Sequence, residues 1–164
     1  MNFEKPNYER MYALIDEVFS TRTDPNQIQV TKKQMKKLEL LHPCTLSEVS
    51  NDDGPYCWIL IIPTTAEVMN EFLNNKISEK EILNKSNPGD LFQSIYLCSA
   101  TTLPEFRGKG LSKKICLDAI EAIRKEFPIE NLYVWPFTES GEKLAKKLAA
   151  ATQLKLFIKS VSKN

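Results

Sequence analysis

The chain has 164 residues, of which 42% are hydrophobic and 26% charged, with a formal net charge of +1. These values suit one globular unit with a real core, and the near-neutral total excludes a protein built as a whole to coat nucleic acid. A single histidine, and four cysteines without CxxC spacing, argue against a metal centre of the zinc type and leave a histidine triad only if His42 is its base, which its loop-like place before Pro43 disfavours.

Residues 1 to 10 have no apolar segment, so no secretory leader is expected. The longest apolar run, residues 58 to 62, is too short to cross a bilayer, and the expected location is the cytoplasm, with no membrane partner. Tyr8, Met11, Tyr12, Ile15, Val18 and Phe19 recur at helical spacing, with Asn7 as cap and Asp24-Pro25 as stop. A second, basic helix spans residues 32 to 41, between a Thr31 cap and His42-Pro43. Residues 1 to 43 thus form a helical N-terminal part. Residues 44 to 63 read as a hairpin with its turn at Asp53-Gly54, a buried strand over 58 to 62, and Pro63 closing it. Capping boxes at Thr64/Glu67 and Ser78/Glu81 predict two short helices, a helical insertion over residues 64 to 90 that ends in the turn Asn87-Pro88-Gly89-Asp90. Residues 92 to 103 are one long β-like run, ended by Pro104.

From Gly110 the pattern turns helical: Leu111, Ile115, Cys116, Ala119, Ile120, Ile123 and Phe127 share a face. A short strand follows at 132 to 135, then a helix at 139 to 151 capped by Thr138, then a last strand in which Leu154, Leu156 and Ile158 alternate. There is no repeat, low-complexity tract or linker, so residues 1 to 164 read as one domain. Its strand–helix–strand–helix second half predicts α/β (α+β) layering. Cysteines 57, 98 and 116 lie in apolar contexts and read as reduced thiols.

Chemistry concentrates in "RGKGLS", between the long strand and its helix. A helix N-terminus leaves unpaired N–H groups and carries about half a positive charge. Gly108 and Gly110 make the turn and let an anion approach the N–H groups of Lys109 to Ser112, and Arg107, Lys109, Lys113 and Lys114 add positive charge. The alternative is a tight helix start with solvated lysines. Neither a Gly-x-x-x-x-Gly-Lys-Ser/Thr phosphate loop nor a Gly-x-Gly-x-x-Gly dinucleotide fingerprint is present.

"LPEFRGKGLS" resembles the pyrophosphate loop of the GNAT superfamily of acyl-CoA-dependent N-acyltransferases, Gln/Arg-x-x-Gly-x-Gly/Ala, with Glu105 at the first position. The order of elements after it is similar as well, and the resemblance covers about residues 45 to 158. It implies a mixed, largely antiparallel sheet with splayed central strands, flanked by helices. It implies that the backbones of Thr101 and Leu103 pair with a pantetheine arm and that the amides of Arg107, Gly108, Lys109, Gly110, Leu111 and Ser112 hold the CoA pyrophosphate. It further implies transfer of an acetyl group from acetyl-CoA to the primary amine of a small-molecule or peptide acceptor.

The sequence departs from that family where proton transfer is expected. The slot of the usual base falls near Ser94 and that of the usual acid near Ala145, in a helix that also lacks the family's Asn near its start. At period-two spacing Ser94, Tyr96 and Cys98 share a strand face, where Tyr96 would be an acid and Ser94 a relay; the alternative is that Tyr96 and Cys98 are core. Tyr133 and Trp135 carry the same ambiguity. The inserted helices are either a wall of the acceptor site or a packing insertion, with Glu67, Glu71, Glu79 and Glu81 on polar faces that are solvated or attract an amine. No first strand precedes the hairpin unless residues 27 to 30 form one. A single strand follows the last helix, so the final sheet edge is exposed or pairs with a second subunit as a homodimer. A silent CoA-binding or partner-binding module is the alternative function. A nucleic-acid partner is not expected, since no aromatic interleaves with the basic residues of the loop helix.

Overall fold

The computed structural model describes residues 5–19, 28 and 31–160. Asp24-Pro25 and, Ile28 apart, residues 27 to 30 lie outside them. Helix α1 (Pro6–Phe19) starts with Pro in its first turn, where the missing N–H costs nothing. Asn7 is therefore inside the helix and not its cap. Its buried side chain donates to Gly54 O at 3.3 Å, and its N–H donates to Asp53 O at 3.0 Å, which fastens α1 to the hairpin. Helix α2 (Lys32–Leu41) carries a complete capping box between Thr31 and Gln34.

Strands β1 (Leu46–Asn51) and β2 (Gly54–Thr64) form the hairpin. Its two turn residues are Asp52 and Asp53, and Gly54, at φ +108°, opens β2. Pro63 does not close β2 but lies within it opposite Ile95, and the strand runs on to Thr64. For that reason the cap of α3 (Ala66–Leu73) is Thr65 and not Thr64, with Thr65 Oγ1 accepting from Val68 N–H at 3.2 Å. Helix α4 (Glu79–Asn84) starts with the Ser78/Glu81 box. Strand β3 (Ser94–Thr102) leads through a 3-10 turn (Pro104–Phe106) into α5 (Leu111–Arg124). Then come β4 (Asn131–Val134), α6 (Glu139–Thr152), capped by Thr138, and β5 (Lys155–Ile158).

The five strands lie in chain order in one mixed sheet flanked by helices. β1–β2 and β2–β3 are antiparallel and form the longer ladders; β3–β4 and β4–β5 are parallel. Leu60 pairs with Ser99 and Ile61 with Leu97, so Cys98 is an extra residue, a β-bulge on β3. β3 and β4 pair only from Ser94/Asn131 to Leu97/Val134. From Cys98 onward β3 has no strand on that side among the described residues, and the two central strands part there.

Residue alternation assigns the two faces. Tyr96 and Tyr133 are opposite one another, and Phe72 from α3 meets both rings, at 5.3 and 6.1 Å. Leu97 and Val134, one residue on, turn to the other face, with α5 and α6. The insertion is tightly packed. Val68, Met69, Phe72, Ile77, Ile82 and Leu83 are all buried, and side chains of this size each contribute about 1.5–3 kcal/mol of burial.

Candidate functional site

A cleft of about 640 Å³ opens where β3 and β4 part, between the β3 end, the start of α5, and α6. That is within the usual range for small-molecule sites. Gly108 (φ +79°) and Gly110 (φ +71°) place the chain in the left-handed region that favours glycine, and Gly110 is the N-cap of α5. Lys114 N–H is the first of this helix to reach a backbone carbonyl, Gly110 O at 3.0 Å. The N–H groups of residues 108 to 113 have no hydrogen-bond acceptor among the described residues. Gly108, Gly110, Leu111, Ser112 and Lys113 line the cleft, while Lys109 reaches over the Phe106 ring at 5.5 Å.

The loop is held from below. Phe106 stacks on Tyr56 with ring centres 4.1 Å apart. Glu105 accepts two hydrogen bonds from Arg10 of α1, at 2.6 and 2.7 Å, and that guanidinium holds its carboxyl down at about 2. Glu105 at the motif's first position is thus spent on joining α1 to the loop. Ser112 Oγ and Thr102 Oγ1 lie 2.9 Å apart, joining the helix start to the strand end.

The freed edge of β3 differs by one residue from expectation. Leu103 N–H donates to Tyr56 O at 2.9 Å, and Leu103 O accepts from Phe106 N–H at 2.9 Å. Both its backbone groups are engaged. By antiparallel alternation Thr101 likewise turns its backbone to Trp58 on β2. The groups facing away from β2 belong to Ala100 and Thr102, and Thr102 O accepts from Arg107 Nε at 3.0 Å. Sequence spacing gives a strand its period but not which parity faces an edge.

Arg107, Lys113, Lys143 and Lys147 line the cleft, and among the described residues no Asp or Glu does. The two α6 lysines were missed from sequence. Their i, i+4 spacing was the available signal, but only docking of α6 beside α5 turns them to the loop. Ala145 also lines this wall and presents only a methyl group there.

A second cluster lies on the opposite face. Tyr96 is fully buried, and its OH donates to Glu79 Oε2 at 2.5 Å. Glu79 Oε1 accepts from Ile28 N–H at 3.1 Å. Glu79 is 5% exposed, a buried carboxylate and not a member of a solvated helix face. Of the other three, Glu71 pairs with Lys85 at 2.9 Å and Glu81 serves the Ser78 cap. Burial first, and then Glu79, raises the Tyr96 pKa well above its usual 10, and the same two causes raise that of Cys98. Cys98, on the bulge, lines the cleft; Tyr96 and Ser94 do not. Ser94 is at the closed end of the β3–β4 pairing, where its Oγ accepts from Asn131 Nδ2 at 3.3 Å. Tyr133 OH and Thr64 Oγ1 are 3.0 Å apart.

Among the described residues no three His, Cys, Asp or Glu side chains gather as a metal site, and no helix is long and apolar enough to cross a membrane. No family model and no curated protein matches the chain. Among solved structures it is similar to the NatB acetyltransferase complex bound to a bisubstrate inhibitor, at 14% identity and a TM-score of 0.46. That alignment covers 82% of this chain and 68% of the other.

Proposed function

We propose that this chain is an acyl-CoA-dependent N-acyltransferase of the cytoplasm, moving an acetyl group from acetyl-CoA to a primary amine of a small-molecule or peptide acceptor. One observation carries the reading: the unpaired amides at the start of α5 open on the same cleft in which β3 and β4 part. Amides at a helix N-terminus suit a diphosphate. The cations Arg107, Lys113, Lys143 and Lys147 suit its charge. The backbone groups of Ala100 and the N–H of Thr102, which face away from β2, suit the amide-bearing arm of CoA. Acetyl-CoA supplies an activated acyl carbon. The chain supplies position and proton transfer.

In this reading Glu79 takes the proton of the acceptor's ammonium. Tyr96, kept protonated at neutral pH by burial and by Glu79, passes a proton to the leaving sulfur. Cys98 walls the reacting end, and Ser94 and Asn131 fasten the closed end of the β3–β4 pair. Calorimetry with acetyl-CoA, followed by a thiol-release assay over a panel of amines, tests the proposal. Binding with turnover is expected. Binding without turnover would leave a silent CoA-binding module, and no binding would remove the reading.

A further inference from the structure

Lys159, one residue past β5, is half-buried, and its N–H donates to Val134 O at 2.8 Å. Its Nζ stands 4.0 Å from the centre of the Phe72 ring and 5.1 Å from that of Trp135. Those rings meet edge-on, 6.1 Å apart, and so form two walls of one cage. Glu79 is the anion beside this cluster: Tyr96, whose ring meets Phe72 at 5.3 Å, donates to Glu79 Oε2, and Glu79 raises the Lys159 pKa against the larger, lowering effect of burial. The Trp135 indole Nε1 is buried without an acceptor among the described residues. Aromatic faces beside a carboxylate are the chemistry that recognises an ammonium group. Lysine presents that group on an unbranched alkyl stem.

The cage adjoins the cleft without being part of it. Trp135 belongs to both. Cys98 lines the cleft and lies within electrostatic reach of Glu79. An ammonium in the cage is therefore across the parted strands from the loop of α5.

We propose that Phe72, Trp135 and Glu79 form the acceptor-amine subsite, that it takes a primary ammonium on an unbranched alkyl chain, and that Lys159 occupies it as an internal stand-in which the acceptor displaces. The word acceptor rests on the acyltransferase reading; the preference for an ammonium does not. On displacement Glu79 takes one proton from the ammonium, and the freed amine nitrogen bonds to the acyl carbon as the carbon–sulfur bond breaks and Tyr96 protonates the leaving sulfur. The second N–H proton returns to the Tyr96 phenolate, leaving a neutral amide, a free thiol and a protonated Glu79 that gives its proton to solvent. A tethered competitor acts at an effective concentration in the millimolar range, so removing it strengthens binding of a free amine.

The test uses Trp58→Phe protein, in which Trp135 is the single indole, and follows its N–H resonance by NMR. In Lys159→Ala and Lys159→Ser, n-butylammonium chloride is expected to shift that resonance saturably, at least about tenfold tighter than in the Lys159 parent. Lys159→Met, which refills the cage with an uncharged chain, is expected to bind as weakly as the parent, and n-butanol is expected to bind none of them. Equal affinity in all proteins, no shift in both opened variants with far-UV circular dichroism intact, or an equal response to n-butanol would overturn the proposal. Acetyl-CoA calorimetry on the same samples is read separately, since the amine titration contains no thioester. Amine binding in a protein blind to acetyl-CoA upholds the cage and sinks the acyltransferase reading; acetyl-CoA binding without amine binding sinks the cage and leaves the acyltransferase reading to the thiol-release assay.

Discussion

Gly110 shows how much one residue decides. Its φ of +71° lies where a side chain costs about 1–2 kcal/mol. An added Cβ would meet nothing within 4 Å, so the cost is conformational rather than steric. Gly110→Ala is expected to lower stability by about 1 kcal/mol in urea unfolding, and to weaken acetyl-CoA binding by up to about tenfold in calorimetry. This residue was legible in sequence because a glycine before a helical pattern has a local cause. Glu79 was not. With Glu67, Glu71 and Glu81 nearby it reads as one more solvated carboxylate, whereas it is buried where Tyr96 of β3 and Ile28 N–H both donate to it, contacts that no local pattern announces. Tyr96→Phe leaves that carboxylate one donor short, which is expected to cost about 1–3 kcal/mol, read as a lower urea midpoint at unchanged slope. Glu79→Gln keeps a group that can accept from Tyr96. Its expected effect is a loss of about 10²–10⁴-fold in kcat with the fold retained, seen in the thiol-release assay beside circular dichroism.

At the scale of elements, the join between α1 and the loop before α5 depends on an exposed ion pair. Arg10 holds Glu105 down at about 2, from an ordinary 4.5. A carboxyl depressed in the folded state stabilises it above the unfolded pKa, and that contribution is lost as pH falls through the folded value. The pair's contribution is therefore complete above about pH 4.5 and fades toward about pH 2. Glu105→Gln is expected to flatten that limb of the stability curve and leave the neutral region little changed, since exposed pairs contribute little. Denaturant melts at stepped pH check this. Periodicity read the helices and most strands correctly. It misplaced the hairpin turn by one residue and the cap at Thr64, because β2 continues through Pro63 and its pairing with β3 cannot be seen locally.

At the scale of the molecule, charge matters by place and not by total. A chain of net charge +1 gathers Arg107, Lys113, Lys143 and Lys147 around one cleft, with no carboxylate in its lining among the described residues. Exposed cations of this kind contribute about 0.2–1 kcal/mol each. The double change Lys143→Gln/Lys147→Gln is expected to weaken acetyl-CoA binding by roughly two- to thirtyfold and to flatten its dependence on salt. Calorimetry at two ionic strengths reads both effects, with melting temperature as the control.

The sequence alone determined what local rules govern. Helical periodicity set α1, α2, α5 and α6, capping chemistry set the start of α4, and the glycines of "RGKGLS" set an anion-ready helix start. Each depends on residues within a turn or two of one another. The tertiary structure decided which parity of β3 faces the cleft, where Cys98 bulges, that α6 brings two lysines to the loop, and that Glu79, Trp135 and Lys159 converge. Those outcomes depend on strand register and on packing between distant segments, and a linear pattern carries no record of which far residue will fill the space beside it.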